Sequence, residues 1–193
     1  MARKRDESRV HLDAYRNYLE LVARSGLDPR LRGKLDPADL VQQTLVRAVA
    51  AQDRFHGDEA SRAAWLRTIL ARIMIDAVRK FARPGGGERE QSLEAALDHS
   101  SARLEALLAA DLTSPSGRAE RNEALLRLAD ALARLPEDQR RAVELRHLEG
   151  LSLADIALRM ERSVDAAVGL IHRGLRALRR DLDELRGEIG GRP

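Results

Sequence analysis

The segment from Leu151 to Leu182, LSLADIALRMERSVDAAVGLIHRGLRALRRDL, decides the fold. It reads as a short helix, a tight turn and a longer second helix. Ser152 stands where an N-cap should, with Asp155 three residues on, a capping box in which Asp replaces Glu. Leu153, Ile156, Ala157 and Met160 then face inward. Ser163 can cap the second helix. There Val164, Val168, Ile171, Leu175, Leu178 and Leu182 recur at steps of four and three as one apolar stripe. Off that stripe lie Arg173, Arg176, Arg179 and Arg180, against a single acid, Asp165, between residues 164 and 180. A helix-turn-helix needs this combination: an apolar side that holds the second helix on its scaffold and a basic side that enters a major groove. A small helical hairpin with a solvated arginine face carries the same pattern, because cations are favoured near a helix C-terminus.

Working outward, 193 residues allow one helical domain of ordinary size or two small ones. Hydrophobic residues reach 44% but aromatics only 3%, so the cores are built from Leu, Ala, Ile and Val. The 34 basic residues stand against 31 acidic ones, and a net charge of +3 does not by itself argue for nucleic acid. Any electrostatic case depends on where the charge sits. The absence of cysteine excludes a disulfide framework and thiolate chemistry. MARKRDESR is followed by no apolar core of a signal peptide, and no run is long enough to span a membrane, so a soluble, cytoplasmic chain without membrane insertion is expected.

Leu12, Tyr15, Leu19 and Val22 predict a first helix that Gly26 closes. Asp36-Pro37-Ala38-Asp39 then starts a second, with Asp36 as N-cap and Pro37 at the first helical position. Leu40, Val41, Leu45, Ala48 and Val49 line its inner side, leaving Asp39, Gln42, Gln43 and Arg47 mostly outside. Phe55-His56-Gly57-Asp58 breaks it.

The third helix, about 62–81, buries an arc of Leu66, Ile69, Leu70, Ile73, Met74 and Ala77. On a wheel of 3.6 residues per turn, Trp65 falls opposite, in line with Arg72, Asp76, Arg79 and Arg83. Residues 62–83 hold six basic side chains (Arg62, Arg67, Arg72, Arg79, Lys80, Arg83) against one acid, Asp76. An aromatic aligned with arginines suits a surface that stacks bases and holds phosphates. Equally, Trp65 could cover a groove between helices above a solvated arginine face.

Pro84-Gly85-Gly86-Gly87 stops that helix, and the charge balance then reverses. From 88 to 124 there are eight acids (Glu88, Glu90, Glu94, Asp98, Glu105, Asp111, Glu120, Glu123) and four arginines. This part reads as an acidic linker with weak helical patches. It would repel nucleic acid and keep the two basic surfaces apart, or serve only as a solvated spacer. Leu125, Leu128, Ala129 and Leu132 give the next helix, and Pro136-Glu137-Asp138 starts another with acids at its positive end. The expected fold is all-α: two small helical domains, 10–83 and 120–185, joined by a flexible acidic linker, 84–119, with the helix-turn-helix in the second.

Two separated blocks resemble one family, the bacterial RNA polymerase sigma factors, in particular the small extracytoplasmic-function (ECF) group of the sigma-70 family. DPADLVQQTLVRAV (36–49) resembles the helix of region 2 that docks on the polymerase clamp, and AAWLRTILARIMIDAVRKF (63–81) the helix that opens and reads the −10 element. LPEDQRRAVELRHLEGLSLADIALRMERS (135–163) resembles region 4, which reads the −35 element. The resemblance implies a protein that binds core RNA polymerase and promoter DNA, directs initiation and assists melting, with an anti-sigma factor as a further possible partner. It places Asp39, Leu40, Gln42 and Gln43 on the polymerase-docking helix and Trp65, Arg72, Asp76, Arg79 and Lys80 on the −10 helix. Ser163, Asp165, Ala166, Gly169, His172, Arg173 and Arg176 fall on the −35 recognition helix. The chain departs from the family pattern at Glu161, where many members carry a turn glycine, at Val168-Gly169-Leu170, less polar than usual, and at Arg72-Ile73-Met74, where Asn is common.

A stand-alone helix-turn-helix regulator is the alternative, and an enzyme the rival from another class. Glu144-x-x-His147 has the spacing of a di-iron ligand pair, but the five histidines supply no second copy, and His147 reads as a satisfied helix-end residue. No catalytic set, metal site or cofactor is expected.

Overall fold

The computed structural model describes residues 12–27, 34–81 and 118–190, with single positions 95, 99, 102, 103 and 106 between them. Every regular element among the described residues is helical. The expected linker, 84–119, lies outside the described residues apart from those single positions and the start of the helix at Arg118. Arg83 is also outside them.

The N-terminal unit follows its sequence signals. A turn at Leu12–Tyr15, closed by Tyr15 N–H on the Leu12 carbonyl (3.1 Å), leads into α1, Arg16–Gly26. α2, Pro37–Ala51, starts at Asp36, whose Oδ1 accepts from the Ala38 amide at 2.9 Å. Such a side chain satisfies one of the amide donors that a helix start leaves over. A single 3-10 turn, Gln52–Arg54, ends it. α3, Glu59–Phe81, begins after Asp58, which accepts from the Ser61 amide at 2.9 Å. The three helices pack on one another, with Leu19, Val22, Leu40, Val41, Leu45, Leu66, Leu70 and Met74 buried between them. Ile75, which the wheel leaves off the inner arc, is buried as well.

The C-terminal unit comprises α4 (Arg118–Arg134), α5 (Glu137–Val143), a five-residue π-helical turn (Glu144–Leu148), α6 (Leu153–Met160) and α7 (Val164–Gly190). Ala142, Leu145, Ile156, Ala157, Ala167 and Ile171 form a small core under the helix-turn-helix. Gly174 fixes how closely α7 lies on α5: a Cβ there would stand 2.8 Å from Val143 Cγ2 and 3.4 Å from the Gln139 carbonyl oxygen. The π turn carries Glu144 inward, where it is 3% exposed beside Arg24, Arg140 and Arg141 at 3.2, 3.9 and 3.8 Å. Glu144 is therefore committed to arginines. Val164, expected on the inner stripe, is exposed at the first turn of α7, and Ala167 takes the buried place one turn on.

The two units are not held apart. α4 packs against α1, α3 and α7, and Leu125, Leu128, Ala129 and Leu132 belong to the same continuous core as Leu19, Leu66 and Leu70. The reason lies in its sequence. At 100° per residue, its buried positions Asn122, Leu125, Leu128, Ala129, Ala131 and Leu132 cover about 180° of the circumference, wider than the ~100° stripe of an ordinary surface helix. Such a helix needs cover on two sides.

Candidate nucleic-acid interface

Ser152 Oγ accepts from the Asp155 amide (3.2 Å) and donates to Asp155 Oδ2 (2.6 Å), so the first helix of the motif is capped as its sequence implies. The turn that follows is built on Glu161, with φ 54° and ψ 45°, a left-handed conformation. Its amide and that of Arg162 donate to the carbonyls of Leu158 (3.3 Å) and Ala157 (2.9 Å), a Schellman ending. Glutamate thus occupies the backbone state that glycine would hold without steric cost. Ser163 then caps α7, its Oγ accepting from the Ala166 amide at 3.2 Å. Its predicted place on the recognition helix is therefore that of the cap.

On α7, Asp165, Gly169, His172, Arg173, Arg176, Arg179 and Arg180 lie within an arc of about 120° at 100° per residue. All but the half-buried Gly169 are exposed, and Ala166 is half-buried at the arc's edge. The Arg173 guanidinium folds back over Gly169, where an added Cβ would stand 3.2 Å from its Nη1. Arg173 and Arg176 make no ion pair with any carboxylate among the described residues. The scaffold arginines differ. Arg141 and Arg159 both bind Glu149, at 2.9 and 2.7 Å, and Arg162 reaches Asp138 at 3.3 Å, tying α6 and its turn to α5.

On α3, Arg72, Asp76 and Arg79 form an exposed row. Asp76 lies 3.8 Å from Arg79 and 4.0 Å from Arg47 of α2, so the one acid of this face is shared by two arginines. Lys80 is in the last turn, its side chain outside the described part. Trp65 is half-buried, packed against the core and against Phe55, with ring centroids 4.7 Å apart and planes at 32°. Part of its surface is therefore taken up by packing. Arg62 stands over the other ring, 4.9 Å from the Phe55 centroid. Phe55 reads in sequence as a helix breaker; the signal for more was an aromatic four residues after Ala51, beside a turn glycine. Gly57 leaves the space that the Phe55 ring occupies, 2.8 Å from where a Cβ would be.

On α2, Asp39, Gln42 and Gln43 are exposed together with Val46 and Arg47. Leu40 is not: at 3% exposure it belongs to the core, so it supports this face and cannot itself be a contact in the folded chain. Its neighbours on the helical repeat, Val41 and Thr44, are buried with it.

The sequence matches the family model for Sigma-70 region 2 over residues 13–83 and that for Sigma-70 region 4 over residues 125–178. It is 31% identical to the RNA polymerase sigma-H factor of Pseudomonas aeruginosa, over 76% of this chain and 73% of that one. The chain belongs to the sigma-70 family. Further relatives are the ECF RNA polymerase sigma factor SigX of Bacillus subtilis (26% identical, 82% of this chain, 77% of that one) and the ECF RNA polymerase sigma-E factor of Escherichia coli K12 (28%, 74% and 72%). The protein is thus a sigma factor of the ECF group, a non-enzymatic subunit through which RNA polymerase initiates at specific promoters, using regions 2 and 4. Region 2 is carried by α1–α3; the region 4 match begins inside α4 and ends inside α7. No helix among the described residues is long and apolar enough to cross a membrane.

Proposed function

We propose that this sigma factor divides its work among three faces. The exposed row on α2, Asp39, Gln42 and Gln43, docks on the polymerase clamp. The α3 face, Trp65, Arg72, Asp76, Arg79 and Lys80, engages the −10 element. The outer arc of α7, Asp165, Ala166, Gly169, His172, Arg173 and Arg176, engages the −35 element, with Ser163 fixing the start of that helix. The domains run 10–83 and 120–185, and the factor works in the cytoplasm, where an anti-sigma partner could hold it.

The observation that carries this reading is that Arg72 on α3 and Arg173 and Arg176 on α7 are exposed and pair with no carboxylate among the described residues. Arginines on phosphate supply affinity and register without reading sequence. Ala166 and Gly169 let α7 approach the groove closely, which favours readout of DNA shape. Opening the duplex costs about 1.4 kcal/mol per stacked step. The Phe55–Trp65 pair offers an aromatic surface next to the arginine row on which an unpaired base can stack. Neither domain alone is expected to offer enough contact surface to offset that cost, so melting is taken to depend on core polymerase.

Run-off transcription with core polymerase over a genomic promoter library tests the reading. Initiation at a defined promoter class is expected, with Asp39→Ala and Gln43→Ala reducing co-purification with core while leaving the fold intact. Permanganate-reactive thymines formed by the isolated factor would refute the dependence of melting on polymerase.

A further inference from the structure

Arg16 opens α1 and reaches sideways to the exposed row of α2. Its Nη1 donates to Gln42 Oε1 at 3.2 Å, and its Nη2 donates to Asp13 Oδ1 at 2.8 Å, in the turn just before α1. Asp13 thus holds the guanidinium and neutralises it, leaving the other arm of the planar fork on Gln42. The orientation of the Gln42 amide then follows from chemistry alone. A guanidinium has five N–H donors and no acceptor, so only the carbonyl end of the amide can face Arg16. The NH2 end turns away from it, and no side chain among the described residues accepts from that NH2. Gln43 makes no side-chain hydrogen bond among the described residues, so either end of its amide can turn outward.

At 100° per residue, Asp39, Gln42, Gln43 and Val46 fall within an arc of about 100° on α2, and all four are exposed. Val46, 56% exposed, stands inside that arc, with Gln42 at the edge beside α1. A partner that covers Val46 also removes water from around Gln42. A polar group that loses water without gaining a partner is costly, so what the partner places opposite Gln42 decides whether the two surfaces fit.

We propose that Arg16 is a positioning residue for polymerase docking: it fixes Gln42 as a donor, whose counterpart on the polymerase is a hydrogen-bond acceptor, a carboxylate or a main-chain carbonyl. The inference rests on the docking role proposed above for α2. Without Arg16 the amide rotates and flips freely, and ordering it again on binding lowers affinity. A side chain of one helix thereby sets the polarity that its neighbour shows to the partner.

Titration of the full chain against core polymerase, paired with thermal melting, tests this with substitutions at positions 16 and 42. Gln42→Ala should weaken binding about five-fold, which checks the docking role by itself. Gln42→Glu keeps an oxygen for Arg16, so the melting temperature should not fall. It also turns an oxygen without a proton toward the acceptor, and affinity should drop about ten-fold or more. If that loss shrinks with added salt, which screens repulsion between charges, the acceptor is a carboxylate; a loss independent of salt identifies a carbonyl. Arg16→Met should weaken binding about three- to ten-fold, the effect of ordering one long side chain, and Arg16→Lys, which keeps a donor, should recover most of it. In a Gln42→Met background no amide remains to orient, and Arg16→Met should change affinity less than about two-fold. Wild-type affinity in Gln42→Glu, with Gln42→Ala impaired, would overturn the proposal and leave the docking role standing. Equal effects of Arg16→Met in both backgrounds would overturn it too, because Arg16 would then act without Gln42. An unimpaired Gln42→Ala would remove the docking role of Gln42 and the proposal with it.

Discussion

Glu161 offers the sharpest test of the backbone argument. A side chain bearing a Cβ in the left-handed region costs about 1–2 kcal/mol, and Glu161, at φ 54° and ψ 45°, is the one non-glycine residue with positive φ among the described residues. Replacement by glycine removes that cost but returns about 0.4–1 kcal/mol of backbone freedom to the unfolded chain. Glu161→Gly should therefore stabilise the protein by a net ~0.5–1 kcal/mol. For a chain of this length that raises the melting temperature by about 2 °C. The charge effect is separable. Glu161→Ala removes the same carboxylate but keeps a Cβ in the left-handed conformation, so it should gain nothing from the backbone. Urea titrations of wild type and both variants, read as midpoint at unchanged slope, decide the matter. If Glu161→Ala is stabilised as much as Glu161→Gly, the strain is not in the backbone and the reasoning fails.

Three further outcomes follow from the packing. Gly174→Ala pushes a Cβ to within 2.8 Å of Val143 Cγ2 and should cost about 1–3 kcal/mol by overpacking, read by thermal melting. Gly169→Ala removes a helix-interior glycine and should stabilise by about 0.5–1 kcal/mol while weakening region 4 binding to promoter DNA, since it displaces Arg173 and thickens the contact face; a fall in both would argue against close approach there. Leu40→Ala should lower stability by about 2–5 kcal/mol as a core truncation, whereas Asp39→Ala should leave the melting temperature within about a degree and lower polymerase affinity, checked by pairing melting curves with co-purification.

Periodicity was enough to find the helices because each buries a stripe, and the caps at Asp36, Ser152 and Ser163 act within four residues of themselves. Exposure of Asp39, Gln42 and Gln43 followed from the same wheel. Leu40 shows the limit of transferring a motif: the residues that characterise a docking helix include those that hold it in place, and a sequence match does not separate the two. Phe55 shows another. Its ring is placed by Gly57 and met by Trp65 and Arg62, contacts between a loop and a helix that no local period encodes. The packing of α4 was half legible. Leu125, Leu128, Ala129 and Leu132 mark an inner face, but Asn122 and Ala131 widen it to a half-cylinder, and an asparagine does not announce burial until its partner, Tyr15, is known.

The net charge of +3 conceals a nucleic-acid-binding protein because the arginines serve two purposes. One set is spent on carboxylates: Arg24, Arg140 and Arg141 on Glu144, Arg141 and Arg159 on Glu149, Arg162 on Asp138. These pairs fix the helix-turn-helix to α5 and the π turn, and their charges cancel locally. Others, among them Arg72, Arg173 and Arg176 on the outer faces of α3 and α7, meet no carboxylate among the described residues. Whole-chain charge averages the two sets to nearly zero, whereas a phosphate within a Debye length, about 8 Å at physiological salt, meets only the second. Electrostatic affinity for DNA therefore follows the arginines of the outer faces that no carboxylate neutralises. Arg176→Ala should lower the salt slope of promoter binding by about one, while Arg162→Ala should leave that slope unchanged and act through stability alone. Equal slopes for the two variants would mean that the pairing in the fold does not sort the arginines by function.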